Sequence, residues 1–125
     1  MKAQSYNDLE IYKIAHQLAV EVHLMTLDRL PKFEMFEEGS QIRRSSKSIS
    51  ANIVEGFGRH HYRQEYVKHL TYALASCDET KEHLQLLADT RSLSDENLFH
   101  ALMTRYEELG RKIYRFRLAV VQASK

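Results

Sequence analysis

The 125-residue sequence has no tryptophan, one cysteine, one proline and four glycines. A lone cysteine, Cys77, cannot form an intramolecular disulfide, so a packed core must hold the fold. A chain of this length can bury such a core without staples. No segment approaches the roughly 18 apolar residues needed to cross a membrane. Residues 2–10 are polar and no apolar run follows Met1, so no secretory leader is expected. These absences predict one domain over residues 1–125 in the cytoplasm, with no membrane partner.

What is present is helix-forming sequence with apolar residues in steps of three and four. Four helices are expected, over residues 8–29, 36–55, 62–89 and 95–123. Ile11, Ala15, Leu18, Val22 and Met25 make the first apolar stripe, with Asn7 as N-cap and Pro31 as the stop. Ile42, Ser46, Ile49 and Ile53 make the second, which Gly56 and Gly58 would end in the left-handed conformation. Gly39 would push its start toward Ser40, because glycine inside a helix costs about 1 kcal/mol. Tyr66, Leu70, Ala73, Cys77, Thr80, Leu84 and Leu87 form the third. Leu98, Leu102, Leu109, Ile113, Phe116 and Val120 form the fourth, with Tyr106 adjoining and Ser94 as N-cap. The connections look short, which makes successive helices antiparallel neighbours. The expected fold is all-α, an antiparallel up-down-up-down four-helix bundle.

Net charge is only +1, yet charge is segregated along the chain. Residues 1–40 carry four basic and seven acidic side chains, and residues 41–72 carry six basic and two acidic. Residues 73–109 carry three basic and eight acidic, whereas residues 110–125 carry five basic and no acidic. Such asymmetry points to an anionic partner or to solvated faces. In the expected topology Arg59, Arg63 and Lys68 share one pole with Arg111, Lys112, Arg115 and Arg117. Arg43, Arg44 and Lys47 lie toward the other. Tyr62, Tyr66, Tyr114 and Phe116 interleave with the first group. Lysine and arginine bind phosphates, and aromatic rings stack on bases. Tyr66 and Phe116 are better explained as core.

A second stripe on the second helix is polar and short. Gln41, Ser45, Ser48, Asn52 and Glu55 sit on one face, where a solvated helix would carry Lys, Glu and Arg. The stripe is either a solvated face or, as the choice of short side chains favours, a face for close packing against another helix. Asn52 and Glu55 would then join a polar network that fixes register between subunits or anchors the Gly56 turn.

Chemistry finds little support. A di-iron bundle needs Glu three residues before His on two helices, and none of the seven histidines has one. Glu65/His69, Glu79/His83 and Glu96/His100 read as surface pairs one turn apart. Cys77 lies on an apolar stripe, where a thiol behaves as a small hydrophobe. No phosphate loop, zinc motif or nucleophile elbow occurs. No catalytic residue, metal or cofactor is expected.

Residues 41–59, QIRRSSKSISANIVEGFGR, with the following YVKHLTYALASCDETKEHLQLL, resemble the four-helix-bundle family of 23S rRNA intervening-sequence proteins. Gln41, Ile42, Arg43, Arg44, Ser48, Ile49, Asn52, Ile53, Glu55, Gly56 and Arg59 match that pattern, as do Leu70 and Ala73. The sequence departs from it at Gly39, where family members usually have leucine. His60, His61 and Tyr62 also replace a serine-containing N-cap. The resemblance implies a ring-shaped homopentamer of antiparallel bundles. Such proteins are encoded within insertions in bacterial 23S rRNA genes or stand alone. They are related to the accessory variability determinant of diversity-generating retroelements, a basic pentamer that binds nucleic acid and a reverse transcriptase. No enzymatic activity is established for the family. Two functions follow as expectations: an oligomer binding RNA, DNA or another polyanion through its basic edge, or a structural adaptor whose partner is a protein.

Overall fold

The computed structural model describes residues 3–123. Its helices are α1 (Glu10–Asp28), α2 (Glu38–Gly58), α3 (Arg63–Asp89) and α4 (Glu96–Ala123), with no strand among the described residues. Side-chain contacts fix their directions. Along α1, Glu10, Glu21 and Arg29 meet Lys112, Arg105 and Asp95 in turn. Along α2, Glu38, Ser45, Ser48 and Asn52 meet His83, Thr80, Ser76 and His69. Along α3, Arg63, Thr71 and Cys77 meet Val121, Arg117 and Tyr106. One number rises as the other falls in every series. Each of these pairs is therefore antiparallel, and α1 and α4 close the bundle.

The stripes converge inside. Leu18, Val22, Ile42, Ile49, Ile53, Leu70, Leu84, Leu87, Tyr106, Leu109 and Ile113 are fully buried. Leu98, Phe116 and Val120, at the two ends of the α4 stripe, are only half-buried and pack against the margin of the core.

Several helix ends differ from the sequence expectation. Asn7 does not cap α1. A 3-10 turn, Tyr6–Asp8, precedes the helix, and Ser5 caps that turn in a reciprocal box with Asp8. Asp95, not Ser94, caps α4, accepting the Leu98 amide at 3.0 Å. This bond, then the Arg29 guanidinium, holds the Asp95 carboxyl below the usual carboxylate range.

The glycines also act differently. No described glycine has a positive φ; Arg91, in the α3–α4 connection, is the residue at φ 65°. The α2 helix runs through Gly56 to Gly58. Gly56 is buried because α3 passes over it: a β-carbon there would lie 3.1 Å from both His69 Cβ and Tyr66 Cδ1. Gly39 does not delay α2, which begins at Glu38. A β-carbon on Gly39 would collide with the Glu34 carbonyl oxygen.

Glu34 explains that crowding. It belongs to a 3-10 turn, Lys32–Phe36, and is only 3% exposed. Its carboxylate accepts the Gly39 amide at 3.3 Å and the Ser92 hydroxyl at 2.6 Å. The first turn of α2 has no side-chain cap of its own. Glu34 therefore satisfies one of its orphan amides from outside the helix and places negative charge at its positive end. Ser92 ties the same carboxylate to the α3–α4 connection.

Gly39→Ala should destabilise the bundle by about 1–3 kcal/mol, because backbone rather than a side-chain tip must move. Gly58, helical with open space around it, should accept alanine with a gain of about 0.5–1 kcal/mol. Urea unfolding of the two variants checks both signs. The Arg105 guanidinium grips both Glu21 oxygens, at 2.6 and 2.8 Å, and holds that carboxyl below its ordinary range. A depressed carboxyl stabilises the fold above the unfolded value of about 4.3, and the contribution fades as pH falls through the lower folded value. The pair is more than one-third exposed, so about 1 kcal/mol or less is at stake. Glu21→Gln should flatten the acid limb of stability against pH; an unchanged limb would remove this role.

Candidate nucleic-acid interface

The polar stripe of α2 faces α3 of the same chain. Thr80 Oγ1, fully buried, bonds the Ser45 hydroxyl at 2.9 Å and the Ser76 carbonyl at 2.8 Å. Ser48 and Ser76 share a hydroxyl contact of 2.9 Å. Asn52 donates to the Ser48 carbonyl at 3.0 Å, and its oxygen lies 3.3 Å from His69 Nδ1. Short side chains let the two backbones approach while every buried polar atom of the seam finds a partner. Gln41 and Glu55 leave the seam. Gln41 is exposed and accepts from Arg44 at 2.8 Å. Glu55 does not join Asn52 but turns outward to Arg59.

Among the three expected surface pairs, His83 meets Glu79 at 3.1 Å and also reaches Glu38 at 2.6 Å, bridging α2 and α3. No such bond joins His69 to Glu65 or His100 to Glu96. Instead, Glu65 binds Lys68 at 3.1 Å. Among the described residues no group of three or more His, Cys, Asp or Glu is arranged to hold a metal.

Carboxylates divide the ten candidate cations into two groups. Arg44 pairs with Glu79, Arg59 with Glu55 and Glu65, Lys68 with Glu65, and Lys112 with Glu10. The Arg59 bond pulls the Glu55 carboxyl below its usual range and raises the guanidinium. These charges are locally neutralised. Arg43 is half-buried and serves structure, donating to Thr26 Oγ1 at 2.9 Å and to the Met35 carbonyl. Lys47 is exposed between α1 and α2, away from the others.

The remaining four lie toward the end of the bundle where α3 begins and α4 finishes, Arg63 and Arg117 at the α3/α4 seam and Arg111 and Arg115 on the outer face of α4. Arg63 donates to the Val121 carbonyl at 3.0 Å, and Arg117 donates to Thr71 Oγ1 at 3.0 Å. Both acceptors are neutral, so both guanidinium charges persist. Arg111 and Arg115, one turn apart on the outer side of α4, are exposed and pair with no carboxylate among the described residues. Tyr114 is 48% exposed, with the Arg117 guanidinium carbon 5.4 Å from its ring centre. Tyr62 is more exposed still, and the tilted rings of His60 and His61 are 4.1 Å apart next to it in the α2–α3 turn. Tyr66 and Phe116, by contrast, meet edge to face inside the bundle.

A match to the model of the 23S rRNA-intervening sequence protein family extends over residues 7–115. The chain belongs to this family. Its fold is also that of a solved protein of unknown function from the S23 ribosomal protein family of Bacteroides thetaiotaomicron VPI-5482. That structure shares 22% identity at a TM-score of 0.77, covering 86% of this chain and 94% of the other. No curated protein matches the chain. Family membership accounts for the signature in residues 41–59, most of which builds the α2/α3 seam and the pole beside it. Among the described residues no helix is long and apolar enough to cross a membrane.

The core holds two groups with chemical potential, and neither is accessible. Burial pushes the Cys77 thiol up to about 11, so the thiolate is suppressed at neutral pH. Its Sγ contacts the Tyr106 carbonyl at 3.4 Å. Tyr106, the largest fully buried side chain, has a hydroxyl without a hydrogen-bond partner. The Ser46 hydroxyl lies close enough to interact with it, but donates to the Arg43 carbonyl at 3.1 Å. Burial raises the phenol far above its ordinary value. An unpartnered buried hydroxyl costs about 1–3 kcal/mol. Tyr106→Phe should therefore raise the thermal midpoint, whereas a clear loss of stability would mean the hydroxyl has a partner in solution.

Proposed function

We propose that this protein is a non-enzymatic, self-associating helical bundle of the bacterial cytoplasm that binds RNA or another polyanion through its basic edge, at the end of the bundle where α3 begins and α4 finishes. One observation carries the reading: Arg63, Arg111, Arg115 and Arg117 share a pole and none is neutralised by a carboxylate among the described residues. Guanidinium groups suit phosphate oxygens because their donors form a rigid planar fork. Tyr114 and Tyr62 add ring faces on which unpaired bases can stack. The family's link to 23S rRNA genes agrees with an RNA ligand, and its resemblance to pentameric relatives points to five copies. A ring of copies would repeat the arginine edge around its circumference, so that weak contacts on one strand reinforce each other.

The test is RNA binding across a salt series. Each phosphate contact contributes about 0.7 to the log–log salt slope on single strands and about 0.9 on duplex. Arg111→Glu with Arg115→Glu should weaken binding and flatten the slope by about the amount of two contacts. Arg44→Gln, whose partner is Glu79, should leave both unchanged. Absence of RNA binding at about 50 mM salt would reject the polyanion reading and turn the same edge toward an acidic protein surface.

A further inference from the structure

The α1–α2 connection holds its apolar side chains outward on a stiff frame. Phe36 is 88% exposed, Phe33 57% and Met35 37%. A turn with three large apolar residues would ordinarily fold them inward. Here Glu34 occupies the inward position, locked by Gly39 and Ser92. Arg43 fastens the Met35 carbonyl to Thr26 of α1. The outward display is thus built into the fold, with its ordering cost met before any partner arrives.

The same chain has an apolar groove of about 360 Å³ between α1 and α2. Ala19, Val20 and Leu24 line it, with His16, His23 and Lys47 at its rim. Val20 and Leu24 are about half exposed, at 47% and 50%, which leaves this face without a partner. Its rim is basic. Glu37, beside Phe36, is exposed and acidic.

We propose that the Phe33–Phe36 turn of one copy seats in the α1/α2 groove of a second copy, with Glu37 against Lys47. A buried aromatic anchor in an apolar pocket, rimmed by opposite charge, is the arrangement that concentrates binding energy. The turn and the groove are different parts of the surface. Each copy therefore offers one of each, and copies join head to tail until a ring closes. The inference rests on the proposed self-association and names the surfaces that produce it.

Sedimentation velocity on the whole chain tests it, using Phe36→Asp and Leu24→Asp. Both positions face solvent, so circular-dichroism melts should match the wild type. The wild type should assemble at tens of micromolar, and each variant alone should sediment as a monomer. An equal mixture should form a one-to-one pair and nothing larger, since one intact turn then meets one intact groove. A monomeric wild type would overturn both the self-association and this contact. A wild-type oligomer that survives both substitutions would leave self-association standing and overturn this contact alone, assigning the two faces to another partner. Monomeric variants that do not pair when mixed would overturn the head-to-tail match of turn and groove.

Discussion

The close approach of α2 and α3 is the constraint on which the rest of the bundle depends. It requires small residues on the facing sides, and α2 supplies Ser45, Ser48 and Gly56 there. Serine and glycine are poor helix formers, so the choice sacrifices local propensity for contact. The seam recovers stability by burying Ile42, Ile49 and Ile53 against Leu70, Leu84 and Leu87. Its polar pairs also set the register. Sliding α3 by one turn would separate Thr80 from Ser45 and leave buried hydroxyls unpaired, at a cost that an apolar seam would not exact.

That register positions the surface. Because α3 starts where α2 ends, Arg63 arrives beside the last turns of α4 and binds the Val121 carbonyl. Arg117 reaches back to Thr71 across the same seam. The carboxylates of the chain are placed just as selectively. Glu55, Glu65 and Glu10 neutralise Arg59, Lys68 and Lys112, leaving Arg63 and Arg117 at the α3/α4 seam and Arg111 and Arg115 on the outer face of α4 uncompensated. A near-neutral net charge is therefore compatible with a locally cationic edge, since binding depends on the field at the contact and not on the sum over the chain.

At the other pole, one buried carboxylate organises the connections. Glu34 joins the start of α2 to the α3–α4 connection through Gly39 and Ser92. Three consequences follow from the placement of Glu34: its main-chain carbonyl leaves Gly39 no room for a side chain, its carboxylate caps α2 from outside, and Phe33 and Phe36 are turned to solvent. None was visible in the sequence. The sequence did not single out Glu34, and Gly39 read as a helix delay, because nothing local marks a side chain that folds back on a backbone five residues ahead.

The helices, their core faces and the family signature were legible because apolar periodicity repeats within each segment and needs no knowledge of its neighbours. Ile11 through Met25, and Tyr66 through Leu87, are buried as their spacing required. The sharing of a pole by Arg63 and Arg117 followed from chain order once connections were short. Helix ends were less legible. Asp95 and Ser5 displaced Ser94 and Asn7 as caps, since neighbouring residues of equal capping ability compete by fractions of a turn. The cationic edge could not be separated by sequence from its paired counterparts, because Arg59 and Arg63 look alike until Glu55 and Glu65 are placed in space. By itself the sequence determined that this chain forms four amphipathic helices and which face of each turns inward. Only the tertiary structure decided which charges cancel, why Gly39 and Gly56 lack side chains, and which apolar residues stay outside. Those outcomes depend on distances between atoms far apart in the chain, which periodicity does not encode.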